Sequence, residues 1–139
     1  MNQITLEIAK SVRDSIHKIL DMDLEIESVG LLFGRKIDYL LQIVQFIELE
    51  NLESSPNRFS IDYSIMVKNI EEYKTKNLEL LGFFHSHPKS YRAYPSERDK
   101  QFMNYWPFPY IWLIGTSSED LSAFFYQDNS INQLEYRIT

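Results

Sequence analysis

A run of apolar residues that ends in two histidines constrains this chain more than any other feature. Residues 78–86 read Leu-Glu-Leu-Leu-Gly-Phe-Phe-His-Ser, a composition typical of a buried β-strand. Pro88 then removes a backbone donor and ends the strand. Because side chains alternate along a strand, His85 and His87 share a face, with Cα atoms about 6.6 Å apart. Two imidazoles at that spacing can converge on one metal ion, although such a pair also occurs on exposed strands.

A third ligand is available just downstream, at the start of a predicted helix. Pro95-Ser96 opens a helix that extends roughly to residue 105, and Ser96 suits its N-cap. Asp99 then falls in the first turn, where the helix dipole favours an anionic side chain. Ser96 and Asp99 also form a plain capping pair, which is compatible with a ligand role for Asp99. Two histidines and one carboxylate would leave a fourth zinc position open for water, whose pKa the metal lowers to about 7.

The other segments predict a mixed α/β (α+β) domain built on a single curved sheet of about six strands flanked by helices. With 139 residues, the chain suits one domain spanning 1–139. The last three strands follow one another without helices, which favours an antiparallel run. The tight connection between the first two strands is placed at Arg35-Lys36. Besides the elements above, the predicted helices cover 5–21 and 64–76, and the predicted strands cover 28–34, 37–48, 59–63, 109–115, 119–127 and 131–138.

Composition excludes several classes of site and partner. The chain has no cysteine, so a metal must be held by His, Asp or Glu. The net charge of −6 and the scattered basic residues argue against nucleic acid as a partner. The longest apolar stretch, 39–47, is far shorter than the ~20 residues that cross a bilayer. The first four residues lack the basic start of a signal peptide, so we expect a cytoplasmic protein that does not bind membranes.

Hydrolysis at a zinc site also needs a carboxylate that is not a ligand, to move the proton of the attacking water. Glu27 is the candidate, directly before Ser28-Val29-Gly30-Leu31-Leu32-Phe33-Gly34. It lies in an acidic stretch that an ordinary solvated surface would also explain. Glu25 would share its face in a strand, so the residues alone leave the choice between these two acids open.

Taken together, these segments resemble the JAMM (MPN+) metalloprotease family in its prokaryotic JAB-domain branch. The family pattern of Glu, His-x-His and Ser-x-x-Asp is matched by Glu27, His85, His87, Ser96 and Asp99. The stretches 27–34, 58–62, 82–88 and 111–114 also look typical of the branch, and the resemblance covers roughly residues 5–138. Eight residues, 88–95, separate His87 from Ser96, one more than is usual in the family. We place the extra residue in the loop, because the usual spacing would make Arg98 a ligand and a guanidinium cannot bind zinc.

The resemblance implies an MPN/JAB-like fold and a zinc metallopeptidase of the deubiquitinase-like type. His85, His87 and Asp99 would bind Zn²⁺, Glu27 would act as general acid and base, and Ser96 would donate to the oxyanion. The implied substrate is the C-terminal tail of a ubiquitin-like or sulfur-carrier protein, cleaved at the peptide or isopeptide bond that follows it. Two alternatives remain open, a non-catalytic zinc-binding MPN interaction module and a zinc hydrolase of small peptides or amides.

The residues alone leave the role of three positions in the loop after the histidines open. Tyr91, Arg92 and Tyr94 lie in the loop after the histidines, and they could form a lip that contacts substrate or an ordinary solvated loop. His17 is interpreted as a surface or half-buried helix residue rather than a ligand. The oligomeric state does not follow from the sequence.

Overall fold

A computed structural model describes residues 3–22, 25–55, 59–105, 110–127 and 130–139. These residues form three helices and one eight-stranded sheet. In chain order the elements are β1 (Thr5–Ile8), α1 (Lys10–Leu20), β2 (Val29–Ile37), β3 (Leu40–Leu49), α2 (Tyr63–Lys74), β4 (Glu79–Ser86), α3 (Glu97–Tyr105), β5 (Ile111–Ser117), β6 (Asp120–Gln127), β7 (Ser130–Leu134) and β8 (Tyr136–Ile138).

The strands follow the order β7-β6-β5-β4-β2-β3-β1-β8 across the sheet. The sheet is mixed, since β4–β5, β1–β3 and β1–β8 are parallel pairs whereas the other neighbours are antiparallel. β7 and β8 lie at opposite ends of this order, yet only Glu135 separates them in the chain. The sheet must therefore curve until its two ends nearly meet.

Each face of the sheet packs against its own hydrophobic cluster. The first cluster contains three residues of α1, which are Val12, Ile16 and Leu20. The second cluster contains Met66 of α2 and Met103 of α3. Neighbouring residues of β4 divide between the two, with Phe84 in the first cluster and Phe83 in the second. Burial on both faces explains why β4 reads as a nearly continuous apolar run.

The mixed α+β class is confirmed, but the expected count of about six strands is wrong. The segment 5–21 is not one helix, because Thr5–Ile8 forms β1 beside β3 before α1 begins. The segment 131–138 is not one strand either, since β7 pairs with β6 whereas β8 pairs with β1. The predicted antiparallel run is therefore confirmed for β5, β6 and β7. It is wrong for β8, which pairs in parallel with β1.

Two further local predictions are corrected. Arg35 and Lys36 lie within β2, and the turn falls at Asp38-Tyr39, where Asp38 adopts a positive φ of 53°. Residues 59–62 form no strand, and Tyr63 begins α2 after an N-cap at Asp62. Asp23 of the acidic stretch before Glu27, Arg58 of the family-like stretch 58–62 and the first residue of the predicted strand 109–115 lie outside the described residues.

Within the described ranges, no helix has the length and apolar character needed to cross a bilayer. The longest of them, α2, has 12 residues, against the ~20 that a bilayer requires.

Candidate metal centre

Four side chains from three parts of the fold meet at one end of the sheet: Glu27, His85, His87 and Asp99. One donor atom from each lies within 4.8 Å of the others. All four residues are buried, with 3%, 0%, 9% and 5% of their surface exposed, respectively. Groups that can carry charge are seldom buried unless they are paired or bind a metal.

The histidines are positioned by strand pairing at the end of β4. His85 lies opposite Val29 of β2 and Ile114 of β5. The N–H of His87 donates to the carbonyl of Gly115 at 2.8 Å, so the alignment with β5 continues one residue beyond β4. The two rings come within 5.0 Å, centroid to centroid. The expectation that both imidazoles face one space therefore agrees with the structure.

Asp99 reaches the histidines from the first turn of α3. Ser96 caps this helix, because its Oγ accepts from the N–H of Asp99 at 3.1 Å and its own N–H donates to Oδ2 of Asp99 at 2.9 Å. The carboxylate then lies 2.9 Å from Nε2 of His87 and 3.4 Å from Nε2 of His85. The longer loop 88–95 thus leaves Asp99 beside both imidazoles, and Arg98 instead pairs with exposed Glu53.

Glu27 approaches from the opposite side, just before β2. Its Oε1 lies 2.8 Å from Nδ1 of His85. Two backbone contacts fix it, since its N–H donates to the carbonyl of Ser55 at 2.7 Å and its carbonyl accepts from Nδ2 of Asn51 at 2.9 Å. Glu25 is exposed, whereas Glu27 is buried among the other three residues. Of the two acids that the sequence left open, the structure places Glu27 at the site.

The chemistry of these donors fits a metal ion. Both ring nitrogens of His85 are buried, and neither makes an aligned hydrogen bond within the described residues, despite carboxylate oxygens at 2.8 and 3.4 Å. Short contacts without hydrogen-bond alignment are what donor atoms around a cation would show. Imidazole nitrogens and carboxylate oxygens are also common ligands of divalent metals.

Electrostatics within the cluster favour a charged carboxylate and a basic imidazole. Burial raises the pKa of Asp99, but the adjacent His85 ring and hydrogen bonds from His87 and the Ser96 N–H outweigh burial and hold it at about 2. Burial lowers the pKa of His87, whereas its contacts with Asp99 and with the Arg92 carbonyl raise it, and the net result is a raised pKa. Asp99 is therefore ionised, and available as an anionic ligand, at any physiological pH.

The surroundings contain residues that sequence reasoning missed. Phe59 stacks on His85 with ring centroids 4.8 Å apart. Ser86 accepts from the N–H of Ser28 through its Oγ at 2.7 Å and so ties β4 to the segment that carries Glu27. Asn51 bonds to the Glu27 carbonyl, and its Oδ1 also accepts from the backbone N–H groups of Glu53 and Ser60. The position of Ser86 between the histidines was a signal that could have found it, whereas Asn51 offered none.

Of the residues whose meaning the sequence left open, Tyr91 and Tyr94 are exposed by 55% and 57%, and Arg92 is exposed as well. Tyr94 packs edge-on against Phe124, so this loop is anchored to β6. Its contact with substrate stays a prediction. His17 is half-buried on α1, as expected, and is not one of the four clustered residues.

Comparison with known families decides the assignment. Residues 9–127 match the family of prokaryotic homologues of the JAB domain. The chain belongs to the prokaryotic JAB-domain family. The resemblance to JAMM-type proteases found in the sequence is thereby confirmed. The four clustered residues are four of the five that the family pattern selected, and the fifth, Ser96, caps the helix that carries Asp99.

Two curated proteins are similar in sequence to this JAB-domain protein. A protein named desampylase from Pyrococcus furiosus is 33% identical over 132 residues, covering 94% of this chain and 89% of the relative. A protein from Thermus thermophilus named "Probable TtuB-protein conjugate cleaving protease" is 34% identical over 91 residues. That match covers 65% of this chain and 56% of the Thermus protein. Together with the family match, these relatives confirm the expectation of a JAMM-type hydrolase.

The fold has a solved counterpart as well. The solution structure of protein DSY2949 from Desulfitobacterium hafniense superposes with a TM-score of 0.83, at 24% identity, and covers 97% of this chain and 93% of the other. At that identity the likeness supports the fold alone.

Proposed function

We propose that this JAB-domain protein is a zinc-dependent isopeptidase or peptidase that cleaves the bond after the C-terminal tail of a ubiquitin-like or sulfur-carrier protein. The observation that carries the proposal is the buried convergence of Glu27, His85, His87 and Asp99. A structural zinc site is closed by four protein ligands, whereas a catalytic site uses three and needs a proton-transferring group close by.

In this assignment, His85, His87 and Asp99 hold the metal. The Asp99 carboxylate lies 3.4 Å from Nε2 of His85 and 2.9 Å from Nε2 of His87, which supports their acting together. Bound zinc would act as a Lewis acid and would lower the pKa of a coordinated water toward ~7. Zinc is favoured over magnesium or calcium because two of the three ligands are imidazoles.

Glu27 is assigned the proton transfer. Its carboxylate would accept a proton from the attacking water and deliver it to the leaving amine, which is either a lysine side chain or a peptide nitrogen. The position of Oε1, 2.8 Å from a ring nitrogen of His85, supports this role because it brings the base to the edge of the metal site. Burial of Glu27 at 3% exposure would keep bulk water from competing for the proton.

Ser96 is assigned the oxyanion of the tetrahedral intermediate. Its Oγ already accepts a hydrogen bond from the N–H of Asp99. A hydroxyl that accepts one bond still has its own proton to donate. The helix cap would thus hold the hydroxyl in place, while its proton remains for the substrate oxygen.

The substrate class rests on the names of the two curated relatives. The single continuous sheet and the family match over 9–127 support treating 1–139 as a single JAB/MPN metalloprotease domain. The cytoplasmic location expected from the sequence stays a prediction, as does the absence of nucleic-acid and membrane partners.

The test is zinc content together with cleavage of a ubiquitin-like protein fused through its Gly-Gly tail to a reporter. We expect about one zinc per chain, cleavage that a chelator abolishes, and zinc without cleavage in Glu27→Gln. Zinc without cleavage of the fusion, but with cleavage of short Gly-Gly amides, would identify a small-amide hydrolase. Zinc without cleavage of either substrate would identify a binding module, and a zinc-free protein that still cleaves would overturn the metal assignment.

A further inference from the structure

One peptide group joins a metal-site histidine to a carboxylate on the neighbouring hairpin. Nδ1 of His87 lies 3.0 Å from the carbonyl oxygen of Arg92. The N–H of Ala93, which belongs to the same peptide group, donates to Oδ2 of Asp120 at 3.3 Å. The Oγ1 of Thr116 donates to that same carboxylate oxygen at 2.7 Å. Contacts therefore run without a break from Thr116 and Asp120 to His87.

The direction of these hydrogen bonds sets the tautomer of His87. A backbone carbonyl can only accept, so Nδ1 must carry the proton. In the neutral ring, Nε2 is then the nitrogen with the free electron pair, and it faces the Asp99 carboxylate at 2.9 Å. The Nδ1 contact thus leaves the metal-facing nitrogen available for coordination.

Asp120 strengthens this contact from the far end of the peptide. A carboxylate that accepts from the Ala93 N–H polarises the peptide, and its carbonyl becomes a better acceptor for Nδ1 of His87. The peptide also belongs to the loop that joins β4 to α3. Ala93 is only 3% exposed, and Thr116, which fixes the carboxylate, is 5% exposed. These contacts hold the loop in the position where the Arg92 carbonyl can accept from Nδ1 of His87.

We propose that Asp120 is a positioning residue for His87, acting through the Arg92–Ala93 peptide and fixed in turn by Thr116. Partners beyond the ligands of a metal-bound histidine orient the ring and raise its basicity, and their loss costs about 10–100-fold in metal affinity. As a statement about metal affinity, the proposal rests on the proposed function. As a statement about the tautomer of His87, it applies equally to the metal-free protein.

The variant to test is Asp120→Asn, with Glu119→Gln as the control. Glu119 is exposed and adjacent, so both variants remove one negative charge from the same hairpin, but only one touches the peptide. Nitrogen NMR of the imidazoles in metal-free protein, in alkaline buffer where His87 is neutral, reports which nitrogen carries the proton. Zinc affinity is then measured by competition with a chromophoric chelator.

We expect Nδ1–H in the wild type and in Glu119→Gln, and a mixture of tautomers in Asp120→Asn. Zinc affinity should fall about 10–100-fold in Asp120→Asn alone. A wild-type His87 protonated at Nε2, or an Asp120→Asn protein with unchanged tautomer and affinity, would overturn the proposal. A wild type that binds no zinc would overturn the proposed function instead, while the NMR comparison would still decide the role of Asp120.

If Asp120→Asn does not fold, Thr116→Val provides a second variant. It removes the 2.7 Å bond that fixes the carboxylate but leaves the carboxylate itself. We expect a smaller fall in zinc affinity and a partial shift of tautomer. A Thr116→Val protein with the zinc affinity and the His87 tautomer of the wild type would count against the proposal.

Discussion

Oε1 of Glu27 lies 2.8 Å from Nδ1 of His85, although the two residues belong to different parts of the chain. Their proximity follows from the sheet, because Val29 at the start of β2 is paired with His85 near the end of β4. The Ser28 N–H to Ser86 Oγ bond and the Ser86 N–H to Ser28 carbonyl bond reinforce that pairing. The position of the proposed base is therefore fixed to the strand that carries His85, one of the proposed ligands.

Shortening Glu27 by one methylene tests whether this placement matters. Glu27→Asp keeps the charge but withdraws the carboxylate by more than 1 Å, and a displacement of that size can cost about 10²-fold in rate. We expect a loss of kcat of that order with zinc content unchanged. Glu25→Asp, on the exposed neighbouring acid, should retain full activity. Equal kcat in Glu27→Asp and wild type would remove the positional requirement.

Asn51 offers a test of how the Glu27 segment is held. Its Nδ2 donates to the Glu27 carbonyl, and its Oδ1 accepts from Glu53 and Ser60. Asn51→Asp retains the acceptor but sets an oxygen against a buried carbonyl, which should cost about 1–3 kcal/mol of unfolding free energy. The measurement is the denaturant midpoint at constant slope.

The matched control for that variant is Asn69→Asp. The amide of Asn69 makes the same kind of bond, to the Ile65 carbonyl at 2.9 Å, but in an exposed setting on α2. We expect little change in the unfolding free energy of Asn69→Asp. A similar loss of unfolding free energy in both variants would mean that burial adds nothing to the contribution of the Asn51 hydrogen bond.

Metal binding and stability should be lost together at His87. A ligand that binds only the folded state adds about 4 kcal/mol at 1,000 times its Kd, so His87→Ala should lower Tm in zinc and remove zinc from the purified protein. Much of the difference in Tm should disappear when a chelator is added to both proteins. His17→Ala changes the remaining, half-buried histidine of α1 and should keep wild-type zinc content. Full zinc content in His87→Ala would show that the ligand set is wrong.

Zinc affinity should depend on pH in a defined direction. The pKa of His87 in the metal-free protein is raised, so protons compete with zinc below that value and affinity should fall as pH decreases. Asp99, with a pKa of about 2, stays ionised and should add no dependence between roughly pH 4 and 8. Competition titrations across this range would measure the slope. An affinity that is constant or rises toward acid would contradict ligation by His87.

The three proposed metal ligands could be predicted because their placement depends on short-range rules. Glu27 could not, since the residues alone left it and Glu25 open and only the family resemblance selected it. Strand alternation places His85 and His87 together, and helix capping places Asp99 beside Ser96. Asn51 and Asp120 could not be predicted in the same way. Asn51 contacts Glu27 and Asp120 contacts Ala93 across 24 and 27 positions of the chain, and no local pattern encodes such contacts.

The missed elements have equally physical causes. Leu6 and Ile8 alternate as a strand requires, but Ile8, Val12 and Ile16 also recur every four residues, so the helical period hid the short β1. Phe59 and Ile61 alternate and are buried, yet the Ser60 N–H bonds to the Asn51 side chain instead of to a strand. The alternation therefore indicated the burial of both side chains, but Ser60 bonds to the Asn51 side chain and to the Leu52 N–H, and no strand forms.

The parallel pairing of β8 with β1 has a consequence for synthesis on the ribosome. All four residues of the proposed zinc site are translated before residue 136, and the strands that hold them pair without β8. One edge of β1 nevertheless stays unpaired until the final described strand emerges. A partly synthesised chain can therefore contain all four residues of the proposed site while it still exposes an open β-edge, and open edges are prone to association with other chains.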